Sequence, residues 1–227
     1  MIEAVLWDVD DTLFDFTGSE RAGLLHHFEA EGLPSDQAAL DRWHQITTSE
    51  YRRLAAGELT YEQQRRTRVR RFVDRPLSDT EADAWYDRYE ALFEAAWSAF
   101  PDVAAALDAL PHRKGILSNS STVHQERRLT ALGLRHHFEV LLCSDRLGRA
   151  KPDPAAFQAA CTALNLPPTA VAYVGDKLDI DAVGAHNAGL HAIWLDRAET
   201  ATPTPTGIHR ISTLNELPMA LAAHRGS

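Results

Sequence analysis

The chain has 227 residues, of which 44% are hydrophobic and 24% charged, enough for one large domain or a core with an insertion, since single cores typically run to ~200 residues. Its formal net charge of −9 argues against general affinity for nucleic acid polymers or anionic membranes, both of which require basic patches. No stretch approaches the ~20 apolar residues of a membrane span, and Met1-Ile2-Glu3-Ala4 lacks the basic segment and apolar run of a signal peptide, so a soluble, cytoplasmic protein is expected.

In chain order, short apolar runs at residues 2–7, 114–117, 140–143, 171–174 and 192–195 are the predicted strands. They are apolar on both faces, as strands buried between helical layers are. Helical patterns at 122–132, 154–164 and 179–188 separate the later ones, the first and last closed by Gly133 and Gly189. This alternation predicts an α/β fold, a doubly wound (Rossmann-like) parallel sheet, with ligands at the carboxyl ends of the strands.

The first connection differs. Between Trp7 and about Arg113 there is no good strand, but Ala82, Trp85, Tyr86, Tyr89, Leu92, Phe93, Ala96 and Trp97 form a stripe at three- and four-residue spacings. Weaker stripes cover 22–28, 40–54 and 61–72. Residues 16–99 are therefore read as an inserted all-helical subdomain, with 1–15 and 100–227 forming the α/β core and Pro101 marking the return. Trp85, Tyr89 and Trp97 are assigned to packing of the insertion. The Thr/Pro run at 201–205 is read as a surface loop before a short last helix. The two cysteines, Cys143 and Cys161, match no metal or redox spacing and read as small apolar core residues. The histidines, His26-His27 and His136-His137 among them, form no metal-binding pattern and read as surface or packing residues.

Four polar segments each follow a predicted strand. In Asp8-Val9-Asp10-Asp11-Thr12 the alternation of strand side chains puts Asp8 and Asp10 on one side. Two carboxylates so close need a compensating cation or proton, and oxygen ligands suit Mg²⁺; an acidic turn opening a helix is the plainer alternative. Ser118-Asn119-Ser120 offers hydroxyl, amide and backbone N–H groups to a phosphoryl group, or simply caps the next helix. Lys151 precedes Pro152-Asp153-Pro154, a rigid element that gives it a defined direction. Gly175-Asp176 ends a strand, and Asp181 follows near the first turn of a helix, where an acid also suits the dipole. Singly these signals are weak; jointly, the sheet would gather them along one edge.

In this order and spacing the segments resemble the four motifs of the haloacid dehalogenase superfamily, over residues 2–7 and about 101–195, and the insertion is similar to that family's C1 type of cap. The resemblance implies a Mg²⁺-dependent phosphohydrolase acting on a small phosphorylated metabolite. Asp8 would be the nucleophile that forms an aspartyl-phosphate, and Asp10 the acid and then the base, oriented by Thr12. Ser118, Asn119 and Lys151 would bind the phosphoryl group. Asp8, the Asp10 carbonyl and Asp176 would hold the metal, with Asp181 behind them. Family members that cleave carbon–halogen bonds lack an acid at the Asp10 position, so its presence favours phosphate esters.

Asp11 departs from a more usual glycine, and Lys177, which could pair with Asp179 or Asp181 or add a cation near the phosphate, departs from a small residue. A phosphotransferase or phosphomutase on the same scaffold, a phospho-acceptor signalling module and a catalytically silent binding protein are the competing readings. In the insertion, the face around Phe14, Phe16 and residues 50–59 is the expected substrate contact, with Arg52 or Arg53 as anion partners. Substrate and oligomeric state stay open at this level.

Overall fold

The computed structural model describes residues 1–223. By contacts the chain divides into two compact units, residues 1–15 with 98–227 and residues 16–97.

The first unit is built on a six-stranded sheet in the order β3-β2-β1-β4-β5-β6, parallel throughout. The strands β1 (Ala4–Trp7), β2 (Arg113–Ser118), β3 (Val140–Cys143), β4 (Val171–Gly175), β5 (His191–Leu195) and β6 (Ile208–Ile211) are short. Every residue of β1 and β4 is buried, which is why neither strand alternates polar with apolar. Trp7 pairs with Ile116 on one side and Val174 on the other. The chain works outward from β1 through β2 to β3, then returns across β1 to β4. A doubly wound sheet changes direction there, between β1 and β4, and a crevice opens at the carboxyl ends of those strands.

The fold and the predicted strands agree, with one addition. β6 follows the Thr/Pro run that was expected to lead directly into the last helix. Only Ile208 and Ile211 of this four-residue edge strand are buried, so its pattern is too weak to stand out.

The insertion contributes α1 (Phe16–Ala30), α2 (Gln37–Ala55), α3 (Tyr61–Val73) and α4 (Asp79–Ala95). Thr60 with Gln63, and Ser78 with Glu81, form capping boxes that start α3 and α4. The interior of the four helices is aromatic: Trp85 of the α4 stripe meets Trp43 of α2 at 5.5 Å and Phe72 of α3, and Phe28 of α1 packs on the same rings, all four buried. Back in the sheet unit come α5 (Val103–Ala109), α6 (Thr122–Ala131), α7 (Ser144–Leu147), α8 (Pro154–Ala163), α9 (Val183–Asn187) and α10 (Leu217–Ala223). A wide π turn, Leu178–Ala182, opens the segment after β4. Cys143 and Cys161 are free and buried. No described helix is long and apolar enough to cross a membrane.

Candidate active site

Asp8 leaves the end of β1 with its backbone N–H bonded to Val174 O at 2.9 Å, so the first acid is anchored to the neighbouring strand. The turn that follows folds back tightly, with Leu13 and Phe14 both donating to Val9 O at 2.9 Å. Asp11 lies in the left-handed region at φ 60°. Glycine adopts that conformation without cost and Asp tolerates it better than most residues, which accounts for the Asp in place of the more usual glycine.

Lys151 is the hub. Its Nζ donates to Asp8 Oδ1 at 2.7 Å, Asp181 Oδ1 at 2.7 Å and Tyr173 Oη at 2.6 Å, using all three ammonium protons. Tyr173, on β4, in turn donates to Leu117 O at 3.0 Å. Asn119 grips the backbone of Lys151 at both ends: Asn119 Oδ1 accepts from Lys151 N at 2.7 Å, and Asn119 Nδ2 donates to Lys151 O at 2.8 Å. The Asn119 side chain therefore aims the lysine, a role that the sequence reading, which gave Asn119 to the phosphoryl group, did not assign to it.

Asp8, Asp176 and Asp181 each place a carboxylate oxygen within 4.8 Å of the others. Asp181 can lie so close to β4 because Gly175 has no side chain; a Cβ there would stand 2.5 Å from the Asp181 carboxyl carbon. Asp181 Oδ2 also accepts the backbone N–H of Lys177 at 3.0 Å. The Lys177 backbone thus makes the Asp181 contact that its ammonium was considered for.

One lysine does not balance three acids, and the titration behaviour reflects it. Burial pushes the Asp8 carboxyl up to about 7; Lys151 pulls the other way, while Asp181 and Asp10 add to the rise. Burial likewise lifts Asp176 to about 6, opposed by Lys177 and reinforced by Asp181 and Asp11. For Lys151, burial alone would lower the pKa, but Asp8 and Asp181 outweigh it and hold it above the ordinary value. Asp176 Oδ1 is buried and accepts no hydrogen bond among the described residues. A buried carboxylate oxygen without a donor, beside two further acids, is what a hard divalent cation would satisfy, so the residues present fit Mg²⁺.

The Asp10 carboxylate takes no part in that acid cluster. Its Oδ1 accepts from Arg128 Nη1 at 2.5 Å and its Oδ2 from Gln125 Nε2 at 3.0 Å. Gln125 also donates to Ser118 Oγ at 3.2 Å, linking the hydroxyl at the end of β2 to the acid at the end of β1. Burial raises the Asp10 pKa, with Arg128 the largest opposing influence, followed by Gln125. Arg128 is itself buried and stacks on Phe14, 4.3 Å from the ring centre. The Thr12 hydroxyl, expected to orient Asp10, has no partner among the described residues. The Thr12 carbonyl is held instead, by Arg197 Nη2 at 2.9 Å, and Arg197 is fixed by Asp102.

Sequence reasoning missed Gln125, Arg128 and Tyr173. The first two stand three residues apart on α6, the spacing that puts side chains on one helix face. Nothing in the sequence marks that face as buried, so it carried no signal. Tyr173 was counted only as a strand residue.

In the helical unit, Arg53 is engaged by Glu50 at 2.8 Å and Glu58 at 3.1 Å, and Arg52 is exposed on α2. Phe16 packs edge-on against Phe93 at 5.6 Å.

A parallel sheet that gathers a buried acid, lysine and hydroxyl near the carboxyl ends of its central strands has its candidate site where doubly wound sheets bind their ligands. The chain belongs to the haloacid dehalogenase-like hydrolases, whose family model matches residues 2–189. It is similar to a glyceraldehyde 3-phosphate phosphatase of Methanopyrus kandleri, 30% identical over 207 residues that cover 88% of this chain and 86% of the relative. It is also similar to the phosphoserine phosphatase of Thermus thermophilus, 35% identical over 128 residues, where the match spans 54% of this chain and 51% of that relative. In fold it is similar to a magnesium-bound hydrolase of the same superfamily from Bacillus subtilis, with a TM-score of 0.77, 22% identity and coverage of 97% and 98% of the two chains.

Proposed function

We propose that the protein is a Mg²⁺-dependent phosphohydrolase that cleaves a small phosphate monoester through an aspartyl-phosphate on Asp8. The observation that carries this is the Lys151 hub. It fixes Asp8 Oδ1 at 2.7 Å with both side chains buried, while Asp8 Oδ2 accepts no hydrogen bond among the described residues. An oriented carboxylate with one oxygen free is a suitable nucleophile, and splitting the transfer in two avoids one difficult displacement.

In the first half-reaction a carboxylate oxygen of Asp8 bonds to phosphorus as the ester P–O bond breaks, and the departing oxygen takes a proton from Asp10. In the second, water attacks the phosphorus of the aspartyl-phosphate, Asp10 takes its proton, and inorganic phosphate leaves with Asp8 restored. Proton transfer of this kind typically contributes ~10²–10⁴ in rate. The Asp10 carboxylate is buried and carries a raised pKa, which suits a group that must hold a proton and then accept one. Ser118 offers its hydroxyl to the phosphoryl oxygens, and Lys151, whose three protons are engaged by Asp8, Asp181 and Tyr173, offsets by its charge the negative charge that builds there. Asp8, Asp176 and the Asp10 carbonyl would hold Mg²⁺, with Asp181 behind them, and the bound ion would supply positive charge opposite the phosphoryl group.

Asp10 favours a phosphate ester over a haloacid, since halide leaves without a proton. Relatives named as phosphatases of phosphorylated metabolites support the same substrate class. The helical unit is read as the cap that excludes water and selects the leaving group.

The test is phosphate release from a small aryl phosphate with Mg²⁺, with EDTA and by Asp8→Asn. Release that requires the metal and vanishes in the folded Asp8→Asn protein supports the mechanism. Activity of Asp8→Asn equal to wild type would refute it.

A further inference from the structure

Gln125 is fully buried on α6, and its side chain meets three polar groups at once. Nε2 donates to Asp10 Oδ2 at 3.0 Å and to Ser118 Oγ at 3.2 Å, and Oε1 accepts from Arg128 Nη1 at 3.3 Å. Ser118 is 2% exposed and Arg128 6%. All four residues belong to the sheet unit.

Arg128 decides which way the amide faces. A guanidinium donates and never accepts, so the part of Gln125 that meets it must be the amide oxygen. Both amide protons are then left for the opposite side, one for Asp10 and one for Ser118. Arg128 is itself held, by Asp10 Oδ1 at 2.5 Å and by the Phe14 ring, whose centre lies 4.3 Å from the guanidinium carbon. The helix carrying both side chains is fixed at its start, where Asp145 accepts from Thr122 N at 3.0 Å and from Thr122 Oγ1 at 2.8 Å.

The direction of this chain of hydrogen bonds decides what Ser118 can do. A hydroxyl has one proton and two acceptor sites, and the proton turns to suit its surroundings. The Gln125 N–H occupies an acceptor site of Ser118 Oγ, so the hydroxyl proton turns away from Gln125, and it meets no acceptor among the described residues. Ser118 ends β2, the strand beside the one that Asp8 follows. A donor fixed there in advance costs no reorganisation when negative charge develops on a phosphoryl group.

We propose that Gln125 is a positioning residue: its amide, set by Arg128, keeps the Ser118 hydroxyl as a donor to a bound phosphoryl group and ties it to the Asp10 carboxylate. The phosphatase reading supplies the role of Ser118, and this proposal rests on it; the dependence of that role on Gln125 is what is added.

The test is a double-mutant cycle on the full-length protein with Mg²⁺, joining Gln125→Met and Ser118→Ala. The assay is kcat/KM for 4-nitrophenyl phosphate, whose leaving group needs little protonation, so that Ser118 is read apart from the acid. Gln125→Met should lower kcat/KM by about tenfold with Ser118 in place and by less than about twofold in the Ser118→Ala protein, where no hydroxyl is left to direct. A side chain that only packs α6 costs the same factor in both backgrounds, and equal factors overturn the proposal. Should Gln125→Met fail to fold, Gln125→Glu, which keeps the shape, takes its place; unequal factors support the proposal and equal factors overturn it.

Calorimetric binding of inorganic phosphate to the Mg²⁺-loaded proteins carries the cycle without turnover. Its affinity should fall at least about threefold on Gln125→Met only where Ser118 is present. Hydrolysis with equal factors overturns the role of Gln125 and leaves the phosphatase reading standing. Phosphate binding that shows the coupling, without hydrolysis of the ester, overturns that reading and leaves the positioning of Ser118. A wild type that neither hydrolyses the ester nor binds phosphate overturns both.

Discussion

Replacing Lys151 by Met removes the charge that holds the acid cluster together while keeping most of the side-chain volume. Lys151 is 5% exposed and bonded to Asp8, Asp181 and Tyr173, so its loss leaves buried carboxylates uncompensated, an event that typically costs ~3–5 kcal/mol. The cost should depend on pH, because a carboxylate can take up a proton instead. Asp8 titrates near 7 in the folded protein even with Lys151 pulling its pKa down, against ~3.9 for an unfolded Asp. The folded state thus binds more protons between those values, and the contribution of protonated Asp8 to stability is present below about 4 and lost as pH rises through about 7. In Lys151→Met the folded pKa climbs further, so the loss continues above 7 while the wild type levels off.

The deficit of the variant is therefore smallest near pH 6 and widens above pH 7 by up to about 1.4 kcal/mol per pH unit. Mg²⁺ should narrow it, since a cation among Asp8, Asp176 and Asp181 replaces the missing charge. Urea unfolding of both proteins at pH 6, 7 and 8, with EDTA and with Mg²⁺, measures each effect. A deficit that stayed constant across pH and did not respond to Mg²⁺ would refute the charge argument and leave Lys151 as a packing residue.

Three further outcomes are expected. Arg128→Met frees Asp10 from its 2.5 Å ion pair and should lower kcat/KM by about 10–100-fold for alkyl phosphates but much less for aryl phosphates, whose leaving groups need little protonation; a leaving-group series gives the answer, and equal losses would mean that Arg128 acts on folding alone. Gly175→Ala puts a Cβ 2.5 Å from the Asp181 carboxyl carbon, so melting and Mg²⁺ titration should show a loss of ~1–3 kcal/mol together with weaker metal binding. His27 is buried against Trp85 at 4.2 Å, and burial lowers its pKa to about 4. The unfolded chain therefore takes the proton first, and stability should fall as pH drops from about 6.5 towards 4, by up to ~3 kcal/mol. Trp fluorescence melts of wild type and His27→Leu would show a flatter pH dependence in the variant, and identical slopes would contradict the assignment.

Much of the candidate site was legible because its first acid, its hydroxyl and Asp176 stand directly at strand ends, and strand ends show as changes from apolar runs to polar residues. Asp8, Ser118 and Asp176 follow β1, β2 and β4 in this way. The Gln125 and Arg128 contacts to Asp10 were not legible, since they join positions 115 and 118 residues apart. No local pattern distinguishes a Gln and an Arg turned inward from the same residues facing water.

The amino-acid sequence by itself determined the first five strands with the helices between them, the long helical stretch after β1 and the candidate site residues, because periodicity and strand-end polarity are local properties. Only the tertiary structure decided which groups meet. It gave Lys151 three partners, turned Asp10 toward α6 instead of the acid cluster, used Asn119 to aim the lysine, and left the Thr12 hydroxyl without a partner. Those outcomes depend on how parallel strands from distant parts of the chain stack at one edge and how deeply each charge is removed from water, and neither quantity is written in any short stretch of residues.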